Sequence, residues 1–224
     1  MQRKGTILTY QQLVSIENGE NDEQLVDLAK ECPDIICQYE KFDMKPFVGD
    51  RIFVRSTVAK KLAQVQEYLG SVFEKYRLRM VYGYRHPQVQ LDYFTRRKKA
   101  LAGKYPDMSE DELISYTHNF IAVPDVAGHV TGGAVDLTIT TPDGDIDMGT
   151  KIADFTDEEL IQTYAKGVTP TQMENREWLL IMMRSQGFAP FYGEWWHFSY
   201  GDKEWACFYN HKKSLYSAVD FQSK

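Results

Sequence analysis

Glu194, Trp195, Trp196 and His197 occupy four consecutive positions within "GEWWHF". A carboxylate and an imidazole three residues apart can divide the work of hydrolysis. The imidazole can hold a metal ion, and the carboxylate can take a proton from water. Alone, the stretch also fits an ordinary core, since aromatic pairs mostly fill interiors and a single histidine is usually a satisfied polar group. A second stretch, "GHVTGGAVD" at 128–136, supplies partners. Asp136 is the one charge in the mostly apolar run "AVDLTIT", which is costly unless it is paired or holds a metal. Gly128, Gly132 and Gly133 allow the backbone to fold back, so that His129 and Asp136 converge. His, Asp and His are ligands that zinc accepts, and a catalytic zinc keeps a fourth position open. On this reading His129, Asp136 and His197 hold zinc, Glu194 is the base for water, and the tryptophans wall and dry the site. Taken singly, His129 could instead cap a turn and Asp136 could pair with a buried arginine. One condition follows. Residues three apart in a regular strand point to opposite faces, so Glu194 and His197 share a site only if the strand opens with a bulge or Gly193–Glu194 is still loop.

The elements that must position these residues are readable from periodicity. "NDEQLVDLAKEC" opens with Asn21 and Gln24 in a capping-box pattern and predicts an amphipathic helix. "RIFVR" at 51–55 predicts a strand. From Ser56 or Thr57, apolar residues at Leu62, Val65, Leu69, Val72 and Tyr76 predict a long helix. "LRMVYGY" at 78–84 predicts a strand closed by "RHP", because a residue before proline leaves the helical region. Helices are expected at about 89–101 and after Ser109. "AVDLTIT" at 134–140 predicts a strand, and "TPDGD" a turn. A second strong helix is expected to start at the Thr171/Glu174 capping box and stop at Gly187. "GEWWHFSY" and "EWACFY", split by "GDK", predict a closing hairpin. Helices and strands mix without regular βαβ alternation. The expected fold is α+β: one domain over residues 1–224, with a mostly antiparallel sheet, flanking helices and the zinc site on the sheet.

Composition narrows the function. The chain has 224 residues with 43% hydrophobic and 26% charged content, ordinary for a globular protein. A formal net charge of −6 disfavours a phosphate-tracking protein, so no nucleic-acid partner is expected. The short basic cluster "RRKKA" at 96–100 reads as a solvated helix end. No run of about eighteen apolar residues predicts a membrane span. The N-terminal "MQRKGTILTYQQL" lacks a signal-type apolar stretch. A cytoplasmic location is therefore expected, or a periplasmic or secreted one if a signal has been removed. Cys32, Cys37 and Cys207 are too few for a disulfide framework and read as small core residues.

At this point a family resemblance enters. "HVTGGAVD" resembles the His-x(6)-Asp motif of the zinc D-alanyl-D-alanine peptidases, and "EWWHF" their Glu-x-x-His motif. The dipeptidases of the vancomycin-resistance type are the most similar members. The resemblance implies two histidines and an aspartate on zinc, a glutamate base, and an arginine that stabilises the tetrahedral intermediate. "YGYRHP" makes Arg85 the match for that arginine, whose ordinary alternative is a surface salt bridge at a strand end. "DMGT" at 147–150 also recurs in the family. Two positions depart from the pattern. Ala127 replaces a serine two residues before the first zinc histidine, and Ala153 stands where an aspartate holds the substrate's ammonium. Asp154 is then the expected substitute, through a shifted loop, and Tyr39 in "CQYEKF" is expected to add a hydroxyl. The implied activity is zinc-dependent hydrolysis of D-alanyl-D-alanine or a similar small D-amino-acid dipeptide. The implied partners are such a dipeptide or a peptidoglycan fragment. The alternatives are a D,D-carboxypeptidase or other peptidoglycan peptidase on the same scaffold, and a non-catalytic zinc module that binds a partner.

Overall fold

The strand that carries Asp136 is the organising element. In the computed structural model, which describes residues 5–223, it runs over Ala134–Thr141 and sits in the middle of a twisted sheet. Before it, in chain order, come α1 (Tyr10–Val14), β1 (Leu25–Asp27), α2 (Leu28–Glu31), β2 (Ile36–Cys37), α3 (Lys45–Val48), β3 (Phe53–Arg55), α4 (Ser56–Val72), β4 (Arg77–Tyr82), α5 (Pro87–Lys104) and α6 (Glu110–His118). The Asp136 strand is thus β5, entered through a single 3₁₀ turn at His129–Thr131. It is followed by β6 (Gly144–Asp145), α7 (Pro170–Ser185), β7 (Ala189–Pro190), β8 (His197–Ser199) and α8 (Lys203–Phe208). The sheet order is β2-β4-β5-β8-β7, with β6 as a short extra partner of β5. Only β2–β4 is parallel; the other pairings are antiparallel. This is the expected α+β arrangement with a mostly antiparallel sheet.

Alternation along β5 divides its two faces. Val135, Leu137 and Ile139 join the main core together with Leu62, Val65 and Leu69 of α4 and Leu179 and Met183 of α7. Asp136 and Thr138 therefore point the other way, towards the site. In β8, Phe198 joins the same core, so its neighbour His197 shares the Asp136 face.

Three local expectations are corrected. The stretch from Asn21 is not one helix. Residues 25–27 form β1, paired with β3 in the register Leu25↔Arg55, and only Leu28–Glu31 is helical. The ladder to β3 outweighs a weak helical periodicity, as tertiary pairing commonly does. Glu23 is used to cap another helix: its carboxylate accepts from the Ser56 hydroxyl and the Thr57 amide at the start of α4. Helix α7 starts two residues earlier than expected, with Pro170 in its first turn and Thr169/Gln172 as the capping box, because proline at the first helical position is pre-set for the turn. Finally, "EWACFY" is not a strand. Asp202 accepts from the Trp205 amide at 2.8 Å and caps α8.

Candidate metal centre

The pairing register builds the site. Asp136 of β5 lies directly opposite His197 of β8 and, on its other side, opposite Tyr82 of β4. Directly opposed residues of an antiparallel pair share a face with their Cβ atoms about 4.5–5.5 Å apart. His129 arrives from the 3₁₀ turn just before β5. Its O atom accepts from the Arg85 amide at 3.0 Å, and its Nδ1 donates to the Gly83 carbonyl at 2.7 Å. The turn can fold so tightly because Gly132 adopts φ +74, where a Cβ would also meet a Leu25 methyl at 2.3 Å. One ligand atom from each of His129, Asp136 and His197 lies within 4.8 Å of the others, and all three residues are buried.

The donor set suits zinc. His129 has Nδ1 committed to Gly83, which leaves Nε2 facing Asp136 Oδ2 at 3.3 Å. His197 places Nδ1 at 2.9 Å from Asp136 Oδ1. Its Nε2 is held at 3.0 Å by a carboxylate that sequence reasoning missed, Glu204 of α8. A metal-binding histidine whose other nitrogen donates to a carboxylate or carbonyl is fixed in tautomer and ring orientation. Both histidines have such a partner.

Charges inside the cluster are strongly coupled. Burial alone would raise Asp136, but attraction and hydrogen bonds from His129 and His197 hold it well below the usual carboxylate range. Burial opposes a charged His197, yet Glu204 and Asp136 outweigh it and hold the imidazole protonated well above its ordinary value. His129 is pushed down, chiefly by burial, against the pull of Asp136. A buried carboxylate between two imidazoles, with three donor atoms converging, can hold a metal ion.

Glu194 stands in loop, with β8 beginning only at His197. The His197 amide donates to the Glu194 carbonyl at 3.2 Å, so the chain turns between them and both side chains reach one cavity. The tryptophans have separate tasks. Trp196, fully buried, donates its indole N–H to Glu194 Oε2 at 2.9 Å. Trp195 donates to the Thr150 hydroxyl at 2.8 Å, tying down the "DMGT" segment. Their rings meet edge to face at 5.2 Å. Burial, helped by the negative charges of Asp136 and Glu204, pushes Glu194 up to about 7 in the metal-free protein, against the attraction of His197.

Arg85 lines the same cavity, of about 280 Å³, as His129, Asp136, Glu194, His197 and Glu204. Its Nη1 donates to Gln90 Oε1 at 2.7 Å, and its guanidinium lies over the Tyr82 ring at 4.5 Å. Its buried Nε has no hydrogen-bond partner among the described residues. Lys41, also missed from sequence, enters the cavity between the rings of Tyr93 and Phe155.

Two expected substrate residues are placed elsewhere. Asp154 is on an exposed turn, where its carboxylate accepts from the Thr156 amide at 3.0 Å, and it borders a neighbouring hollow beside Trp195. The preceding Ala153 has φ 56, a conformation that turns the loop away. Tyr39 donates to the Arg51 carbonyl at 3.3 Å and contacts Tyr82 edge to face. Glu204 had a signal in the sequence: Asp202 as a cap, followed by Trp205, Ala206, Phe208 and Tyr209 at helical spacing. No helix among the described residues is long and apolar enough to cross a membrane.

Comparison with known proteins agrees with this geometry. The family model described as D-ala-D-ala dipeptidase matches residues 39–217. A D-alanyl-D-alanine dipeptidase of Enterococcus faecalis is 31% identical over 176 residues, 74% of this chain and 83% of that protein. The Enterococcus faecium dipeptidase is 28% identical over the same shares. A Synechocystis dipeptidase is 33% identical over 107 residues, 43% of each chain. Among solved structures, the LD-carboxypeptidase LdcB is a looser likeness, with a TM-score of 0.49 and 21% identity over 86% of this chain and 81% of that one. The extent of the family match, together with a relative 31% identical over 83% of its length, shows that the chain belongs to the D-Ala-D-Ala dipeptidase family of zinc metallopeptidases.

Proposed function

We propose that this chain hydrolyses D-alanyl-D-alanine or a similar small D-amino-acid dipeptide, with zinc held by His129, Asp136 and His197. The observation that carries the reading is the sharing of one cavity by all three ligands, Glu194 and Arg85. When bound, zinc supplies Lewis acidity, lowering the pKa of water and polarising a carbonyl. The remaining work falls to side chains. Glu194, aimed by the Trp196 indole, takes the proton of the attacking water and passes it to the leaving nitrogen. Arg85, with its unpartnered Nε in a dry setting, offers donors to the oxygen on which negative charge develops.

A free dipeptide is a zwitterion, and the cavity carries both signs. Lys41 is available for a carboxylate, and Glu204 and Glu194 line the same cavity. This mixture favours a dipeptide over an N-acylated peptide. The ammonium contact first assigned to Asp154 has no part in this reading, because that carboxylate is exposed outside the cavity.

The test is a hydrolysis screen of D-Ala-D-Ala, its L,L counterpart and N-acetyl-D-Ala-D-Ala, with and without a chelator. Chelator-sensitive turnover of the free D,D-dipeptide is expected, and the acetylated form should be left intact. Equal turnover of both forms would move the protein to the carboxypeptidase reading. Stoichiometric zinc without turnover would leave a non-catalytic module.

A further inference from the structure

A second cavity, of about 290 Å³, adjoins the catalytic one. The two share part of their walls, including Glu194, Phe155, Phe191, Phe120 and Ile121. The second cavity does not touch Arg85 or any of the three metal ligands. Its floor is Ile161, which is buried. Phe120, Ile121 and Phe191 are only half-buried, and Phe155 is 43% exposed. Apolar rings left that open around one hollow gain from an apolar occupant, because each square ångström removed from water contributes roughly 25 cal/mol. The far rim is closed by an ion pair, Arg97 to Glu158 at 2.9 Å, with the guanidinium lying over the Phe120 ring at 4.1 Å.

The position of Glu194 orients the substrate relative to this hollow. A base that takes the water's proton delivers it to the leaving nitrogen, so that nitrogen lies against Glu194. The residue on the released, C-terminal side of the scissile bond starts at that nitrogen. Arg85, on the oxyanion, marks the opposite side. We infer that this side cavity receives the side chain of the C-terminal residue, and that the enzyme's preferred substrates are dipeptides whose second residue carries a large apolar group. The inference rests on the dipeptidase reading above and gives it a substrate class beyond alanine.

The experiment compares kcat/KM for D-Ala-D-Ala, D-Ala-D-Leu, D-Ala-D-Phe and D-Phe-D-Ala on the zinc-loaded full chain. D-Ala-D-Leu or D-Ala-D-Phe should exceed D-Ala-D-Ala by about 10-fold or more, the scale on which apolar pockets discriminate. D-Phe-D-Ala should show no such gain. The variant Gln162→Trp fills the hollow from a residue that lines it alone. It should abolish the gain, read as the ratio of kcat/KM for D-Ala-D-Leu to that for D-Ala-D-Ala within the same variant, and Gln162→Ala should keep that ratio. Turnover of D-Ala-D-Ala without advantage for the larger residues overturns the inference and leaves the dipeptidase reading standing. So does an advantage that survives in Gln162→Trp, or one that appears on D-Phe-D-Ala. Zinc-loaded enzyme that cleaves none of the four overturns both. Because the wild-type series stands without any variant, poor folding of Gln162→Trp would not shield the inference.

Discussion

Replacing Glu204 by Gln separates what holds His197 from what His197 holds. The glutamine keeps the size of the side chain, and its amide oxygen still accepts from Nε2 at the 3.0 Å position. Only the charge is lost. Hydrogen bonds to a charged group contribute about 1.5–3 kcal/mol and are roughly twice as strong as neutral ones. The imidazole–carboxylate pair is little screened, with side-chain exposures of 10% and 12%. The change should therefore cost about 1–1.5 kcal/mol in the bond itself, close to 10-fold in zinc dissociation constant. The missing attraction between a buried anion and a dication adds to this, so the expected loss is about 10- to 100-fold. The effect should depend on pH. In the metal-free protein Glu204 and Asp136, acting against burial, raise the proton affinity of His197, and zinc must displace that proton. Removing the carboxylate weakens both competitors, so at pH 6 the losses partly cancel. As pH rises the proton competes less, so the deficit grows. Competition against a chromophoric zinc chelator between pH 6 and 8 measures both. A deficit that shrinks as pH rises would refute this account of Glu204.

Three further outcomes are expected. Glu194→Gln should keep stoichiometric zinc, measured by metal analysis, and lose activity by about 10²–10⁴-fold, the range for a positioned base; loss of the metal would mean that Glu194 is a ligand. Arg85→Ala should also keep zinc and lower kcat by about 10²–10³-fold, and an unchanged kcat would reduce Arg85 to a structural role. The third concerns Asp202, whose carboxyl is pushed up to about 7 by burial and by Glu204. The folded chain then binds this proton between pH 4 and 7 while the unfolded chain releases it, so metal-free stability should fall as pH rises through that window. Asp202→Asn keeps the cap on α8 and removes the titration. Urea unfolding of the metal-free variant should gain on the order of 2–4 kcal/mol over wild type at pH 8 and little at pH 4, whereas parallel profiles at both pH values would exclude the effect.

The metal motif was legible because its residues are conspicuous where they stand: a carboxylate inside an apolar strand run, and a histidine among glycines. Strand geometry called for an irregularity before His197, a bulge or a loop, since Glu194 and His197 cannot otherwise face one cavity, and the structure has a loop there. Glu204 was hidden by a different cause. Reading "GDK" as a hairpin turn put Glu204 on a strand, whereas Asp202 caps a helix and lifts Glu204 in its first turn against His197. The β1 segment was lost for a related reason: its partner is β3, far along the chain, and no local pattern encodes that register. Asp154 shows the limit of letting a neighbouring residue stand in for a family position. One residue of offset, with Ala153 in a left-handed turn, is enough to send the carboxylate to another surface.

The two hydrogen bonds between His129 and the Gly83–Arg85 segment join groups with different duties into one mechanical unit. The Arg85 amide donates to the His129 carbonyl, and the His129 ring donates back to Gly83. Any fluctuation that carries the arginine away also drags a metal-binding ring with it. Metal affinity and oxyanion stabilisation therefore cannot be adjusted independently by substitutions in this segment. The same coupling turns the Arg85 amide into a built-in reporter. Its hydrogen exchange should slow when the ion is loaded, because opening that bond would also disturb the ring that holds the metal.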